Sequence, residues 1–334
     1  MKKLNFAILC CLPVAACCFS TAAAFEHRFG QNTFRLNAMG SAVAGDLSDY
    51  VIRMQLNRLL SNRWNIGAVY SYDWQAYDRR KFAKDAFIYL ETGLGRIEAG
   101  WTESIASKLA LTLPDVGGTR LNNAPAFLPD EFVGITNPTV RGNQYAWRLN
   151  VVTLPTNPWQ FGIGRTAGHA DGFNNSTDIG IRYRNPNGRT KTSISLGFSY
   201  IERPLGMMAD NYLPLTSARA RYQATAGFNL QYGGLIWAIT TKAVLDNHPI
   251  KDISDGLQAG TGLSYDFLSW SASAGYIFSA IGIWRDMRDT TAHTGIFSLR
   301  YKINKYIDIW KSTGLVDMEH ATKFFIALGI GVKF

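Results

Sequence analysis

The chain has 334 residues, a formal net charge of +9, 13% aromatic residues and 31 glycines, and its mean hydropathy of -0.06 is near neutral. Beyond the first residues no continuous apolar stretch reaches the roughly 18–20 residues of a transmembrane helix. The four cysteines, Cys10, Cys11, Cys17 and Cys18, all lie near the start, which excludes a disulfide framework, a thiolate metal site or a cysteine nucleophile in the rest of the chain.

The first element is a leader. Lys2 and Lys3 form a short positive region, Leu4 to Cys18 is uncharged and apolar, and Ala22-Ala23-Ala24 offers a small-residue cleavage site before Phe25. This is the layout of a secretory signal peptide over residues 1–24, removed on export. Val14-Ala15-Ala16-Cys17 reads as a lipobox and supplies the rival reading, a lipoprotein signal. A protein held in the membrane by its whole wall gains little from an acyl anchor, which favours the first reading.

Residues 25–334 show no Pro/Ser-rich linker, charge block or low-complexity run. They consist of repeated segments that alternate at period two, the signature of half-apolar strands. Trp64, Ile66, Ala68 and Tyr70 oppose Asn65, Gly67 and Ser71. Tyr145, Trp147 and Leu149 oppose Gln144, Arg148 and Asn150. Trp270, Ala272, Ala274, Tyr276 and Phe278 oppose a run of serines, and Phe297, Leu299 and Tyr301 oppose Ser298, Arg300 and Lys302. The pattern predicts about sixteen strands, near 32–42, 50–59, 63–75, 83–92, 95–102, 143–154, 159–166, 177–185, 190–202, 217–232, 235–246, 254–267, 270–283, 291–304, 306–316 and 322–334.

A soluble sandwich would alternate in the same way. Two further features select a membrane barrel. Aromatics gather at strand ends (Trp64, Tyr72, Trp101, Trp159, Tyr232, Trp270), as in interfacial belts. Short turns at Gly93-Leu94, Gly233-Gly234 and Leu268-Ser269 alternate with longer polar connections, as periplasmic turns alternate with external loops. The expected fold is therefore all-β: one transmembrane antiparallel barrel over 25–334, which grows by adding strands rather than by thickening a core.

One connection breaks the rhythm. From about 103 to 142 the chain carries Pro114, Pro125, Pro129 and Pro138 with Gly117-Gly118 and Asn122-Asn123. A connection of this length without regular structure marks a functional loop. It follows the fifth expected strand. At the other end of the chain, Phe324, Ile326, Leu328, Ile330, Val332 and Phe334 share one face of the last strand, and the chain stops on an aromatic residue.

These features together resemble the general diffusion porins of Gram-negative bacteria. The glycine-and-basic segment Leu94-Gly95-Arg96-Ile97-Glu98-Ala99-Gly100-Trp101 looks like the strand that precedes the third external loop of that family. The terminal Phe334 looks like the membrane-insertion signal that the barrel-assembly machinery reads through the C-terminal strand. The acidic Pro-Glu-Phe-Gly-Gly loop motif of enteric porins is missing, and Leu113-Pro114-Asp115-Val116-Gly117-Gly118 stands in the loop instead. The resemblance implies a loop folded into the lumen as a constriction, an outer-membrane location among lipid and lipopolysaccharide, a homotrimer, and a water-filled channel for passive diffusion of small hydrophilic solutes and ions.

The face opposite the apolar one is basic. Arg35, Arg53, Arg96, Arg148, Arg182, Arg184 and Arg221 fall on it and are the candidate pore-lining residues, with Arg219, Arg300 and Lys302 beside them. The loop adds Glu103, Lys108, Asp115, Arg120, Asp130 and Glu131 as candidate constriction residues. Basic rings in a confined pore favour anions, so a weak anion preference is expected. The same arginines could instead pair with carboxylates or bind lipid phosphates.

No catalytic grouping is evident. His27, His169, His248, His293 and His320 are scattered without metal-ligand spacing, and no cofactor or metal is expected. Charge dispersed through alternating strands argues against nucleic acid. Gly162-Ile163-Gly164 lacks the rest of a dinucleotide fingerprint and is expected to let the wall approach the loop. The competing functions are a structural or adhesive barrel with a plugged lumen and, less favoured, an outer-membrane enzyme.

Overall fold

The computed structural model describes residues 25–29, 32–43, 47–61, 64–75, 81–114, 116, 145–154, 158–166, 175–185, 189–202, 220–247, 256–283, 288–304, 307–318 and 321–332. The expected signal segment 1–24, most of the long loop and Phe334 lie outside these residues, as do the side chains of the first three strands. The strands in chain order are β1 (Phe25–Phe29), β2 (Asn32–Val43), β3 (Leu47–Ser61), β4 (Trp64–Gln75), β5 (Lys81–Glu91) and β6 (Gly95–Glu103). The short helix α1 (Ile105–Leu109) follows. Then come β7 (Tyr145–Thr153), β8 (Trp159–Thr166), β9 (Asn175–Asn185), β10 (Thr190–Glu202), β11 (Ala220–Tyr232) and β12 (Leu235–Asn247). The last are β13 (Gly256–Phe267), β14 (Trp270–Ile283), β15 (Arg288–Lys302), β16 (Ile307–Met318) and β17 (Ala321–Val332).

From β2 to β17 each strand pairs antiparallel with its sequence neighbours in one sheet. β17 meets β2 through Ala327↔Val43 to Ile330↔Gly40, four residue pairs that join the two ends of the sheet. Pairing of the end strands is what hydrocarbon surroundings favour, where open edges are costly. β1 pairs with β2 from Phe25↔Leu36 to Phe29↔Asn32. It occupies the edge of β2 next to the stretch that β17 covers.

The alternation located the strands closely: the expected segments 159–166, 190–202 and 270–283 are β8, β10 and β14. Two elements differ from expectation. β1 spans only five residues, FEHRF, too few for a periodic pattern to register, and its partner is supplied by the sheet. The long loop, expected to lack regular structure, opens with α1, whose N-cap Ser104 accepts from the backbone N–H of Ser107 at 3.1 Å. That capping is a local signal, but one turn of helix has no sequence period.

Burial separates the two faces. In β8, Trp159, Phe161 and Ile163 are exposed while Gln160, Gly164 and Thr166 are buried. In β7, Trp147 is 61% exposed and its neighbour Arg148 only 2%. Ser195, Ser199, Gln223, Thr240, Gln258, Ser273 and Ser298 are all buried, while Leu196, Phe198, Ile239, Leu263 and Phe297 are exposed. The sheet is polar on its enclosed face and apolar on its outer face, the reverse of a soluble sandwich.

Aromatic pairs mark two levels of the outer face. Trp159–Tyr183 (4.6 Å between ring centroids), Tyr265–Phe267 (5.9 Å) and Trp270–Tyr301 (4.7 Å) lie near one end. Tyr200–Tyr222 (5.4 Å) lies toward the other. The first end carries tight turns, one closed by Thr92 N–H to Gly95 O at 2.8 Å, while Asp266 N–H to Gly234 O at 2.9 Å ties the end of β13 to the neighbouring Gly233-Gly234 turn. Gly233 turns there at φ +56°, where a side chain would be strained.

Candidate functional site

The loop after β6 begins inside the barrel. Its root is a charged cluster on the inner face of β6. Glu98, 4% exposed, pairs with Lys108 of α1 and with Arg96 at 3.2 Å. Asn150 of β7 donates from Nδ2 to Glu98 Oε2 at 3.3 Å and to the backbone oxygen of Glu103 at 3.0 Å. Above this root the Arg96 guanidinium stacks on the Tyr89 ring, 3.6 Å from its centroid, and Lys108 lies 4.7 Å from the Phe87 centroid.

From that root the segment 104–116 crosses the inner wall over successive strands, and the wall is cut to receive it. Gly162 pairs in register with Gly180, and Gly180 with Gly197, which puts three glycines side by side on β8, β9 and β10. A Cβ on Gly162 would meet Ile105 Cγ2 at 2.6 Å, one on Gly180 the Ile105 carbonyl oxygen at 2.9 Å, and one on Gly197 the Ala106 Cβ at 3.2 Å. Farther along, Gly227 of β11 faces Leu111, and Gly262 of β13 faces Pro114. The expectation that Gly162 and Gly164 let wall and loop approach holds, and the glycine track extends well beyond them.

Polar and apolar contacts hold the segment in this track. Arg182 on β9 donates from Nε to Leu109 O at 2.7 Å, and from Nη2 to Ala110 O at 2.6 Å and Lys108 O at 3.3 Å. Ser195 Oγ accepts from Leu111 N at 2.9 Å, and Ser273 Oγ from Val116 N at 3.1 Å. Leu113, 4% exposed, packs with Ala238, Ile277 and Ile296 of the wall. Leu113→Ala is expected to cost about 2–5 kcal/mol through the cavity it leaves, read as a lower urea midpoint of the folded barrel.

The expected site residues divide as follows. Arg96, Arg148, Arg182 and Arg184 lie on the inner face. Arg148 is buried against Asp178, with both side chains at 0% exposure, and Arg184 is exposed. Arg35 is in β2 opposite Gln55, Arg53 in β3 opposite Asn37, and Arg221 in β11 opposite Ile201; their side chains lie outside the described ones. Glu103 ends β6, and Lys108 is in α1 bonded to Glu98. Asp115, Arg120, Asp130, Glu131 and Phe334 lie outside the described residues. Sequence reasoning missed Asn150, Ser195, Ser273 and Leu113 as contacts of the loop. Register was the missing signal, since only strand pairing shows that glycines tens of residues apart form one track.

The sequence matches no protein-family model and no curated protein. Solved structures do match. OmpF of Salmonella typhi, in a complex with daunomycin, superposes with a TM-score of 0.70 at 13% identity, over 93% of this chain and 100% of that one. An anion-selective porin from Comamonas acidovorans matches with a TM-score of 0.62 at 12% identity, over 91% and 98%. OmpT, an outer membrane protein of Vibrio cholerae, matches with a TM-score of 0.62 at 9% identity, over 93% and 100%. At these identities the likeness is one of fold: the chain has the fold of a porin-like β-barrel.

Proposed function

We propose that this barrel is a passive outer-membrane channel for small hydrophilic solutes and ions, with a weak preference for anions and a homotrimeric assembly. The observation that carries the reading is the inverted burial. The enclosed wall is lined by serine, threonine, glutamine and charged groups, while the outer face is apolar with aromatic rings at two levels. A polar lumen inside a lipid-facing wall is the arrangement of water-filled barrels.

The segment 104–116, seated on the inner wall, narrows the lumen from one side. Among the described side chains of the inner face, and leaving out Arg182, whose donors point at the loop backbone, Arg96, Arg148, Arg184, Lys191, Lys242, Arg300 and Lys302 outnumber Glu91, Glu98, Asp178, Asp266 and Asp308. Confined basic charge raises the local anion concentration, and the structurally similar Comamonas protein is described as anion-selective. The trimer rests on likeness to solved outer-membrane barrels, one of which, the outer membrane protein OmpT of Vibrio cholerae, is described in a trimer form. Passive diffusion needs no reacting group, and the channel reading assigns the inner face no catalytic role.

The test is single-channel recording of the refolded protein in planar bilayers under a salt gradient. Open steps that close in thirds, with a reversal potential on the anion side, are the expected result. A folded, heat-modifiable barrel that never conducts would overturn the channel in favour of a plugged structural barrel.

A further inference from the structure

We propose that Arg182 is a positioning residue that clamps the inward segment to the wall and contributes little to ion preference through its own charge. For its effect on conduction the idea rests on the channel reading above.

Three consecutive carbonyls, Lys108 O, Leu109 O and Ala110 O, converge on one guanidinium. They belong to the C-terminal end of α1, where carbonyls lack partners within the helix and carry partial negative charge. A planar fork with several fixed donors suits such a set, and an ammonium does not reproduce it. The same helix is held from the opposite side by the ion pair of Lys108 with Glu98 on β6. One turn before these anchors in sequence, Ile105 and Ala106, each 0% exposed, press into the glycine track. Arg182 thus directs its donors at the backbone of the segment, whereas Arg184, two residues on along β9, is exposed.

Two readouts separate a clamp from a pore charge. The first needs no conduction. Ala106 Cβ lies 3.2 Å from where a Cβ on Gly197 would sit, a few tenths of an ångström short of the Cβ–Cβ separation of a disulfide (~3.5–4.5 Å), so a small outward shift of the loop brings the pair into bonding range. The nearest obstacle there, Thr225 Oγ1 at 2.6 Å, is a side-chain hydroxyl that can rotate. The pair A106C/G197C, in a chain whose four native cysteines are changed to serine, is expected to cross-link on oxidation. Adding Arg182→Gln is expected to slow that cross-link roughly tenfold, the scale of one lost charge-assisted hydrogen bond, and Arg182→Lys is expected to restore it only in part.

The second readout is electrical. Arg182→Gln alone is expected to change single-channel conductance and raise open-channel noise while leaving the reversal potential near that of the parent. Closing the A106C/G197C cross-link in the Gln variant should return the current to the parent level. Unchanged cross-linking in Arg182→Gln, or parental conductance with a reversal potential shifted toward cations, would overturn the clamp. A parent that does not conduct would remove the channel reading alone, because the cross-linking rate still decides whether Arg182 seats the segment.

Discussion

Replacing Asp178 by alanine is expected to destabilise the folded barrel by about 3–5 kcal/mol, the scale for removing one partner of a buried ion pair. Arg148 and Asp178 are both at 0% side-chain exposure, so solvent screening does little to soften the loss. The pair spans β7 and β9, which are not neighbours. β8 lies between them, and its Gly164, which pairs with Asn150 on one side and Asp178 on the other, presents no side chain in the gap. In Asp178→Ala the guanidinium keeps its burial and loses its carboxylate.

The double variant R148M/D178L removes both charges and is expected to lie much nearer the parent, because apolar replacement of a buried pair is often neutral or favourable. Urea titration followed by the heat-modifiable band on gels measures both. A loss in Asp178→Ala of less than about 0.5 kcal/mol, the range of ordinary surface substitutions, would show that water reaches the pair.

The second large effect is on the pore. Gly180→Val is expected to lower single-channel conductance and to cost about 1–3 kcal/mol of stability through overpacking. A Cβ at this site would approach the carbonyl oxygen of Ile105 at 2.9 Å and Leu109 Cδ1 at 3.1 Å. The first contact is backbone and cannot rotate away. The wall behind Gly180 is tied to β8 and β10 by hydrogen bonds, so α1 is the part that yields, toward the lumen. Gly295→Ala is the control. It faces open space within 4 Å and should change stability by less than about 0.5 kcal/mol. If Gly180→Val conducts as the parent does, segment 104–116 does not rest on the track in the membrane.

Much of this molecule is legible in the sequence because a strand exposes its faces alternately, and that alternation is local. Trp159, Phe161 and Ile163 against Gln160, Gly162 and Gly164 define a strand and its two faces without reference to any other strand, which is why β8, β10 and β14 were placed to the residue. Alternation alone could not say which face would be enclosed; the aromatic strand ends and the alternating turn lengths point to an outward apolar face, and the burial of the polar face in the folded sheet agrees with them.

The path of the loop was likewise outside local pattern. Pro114 and the glycines near it marked residues 103–142 as irregular, yet the seat for Ile105 and Ala106 is made by Gly162, Gly180 and Gly197, which meet only when three strands pair in register. The roles of the arginines were decided in the same way. The sequence by itself put Arg148, Arg182 and Arg184 on one face as equivalent basic positions. Only the tertiary structure distinguished them, because a side chain's electrostatic role depends on what lies within a few ångströms: Asp178 across two strands for Arg148, the end of α1 for Arg182, and exposure for Arg184.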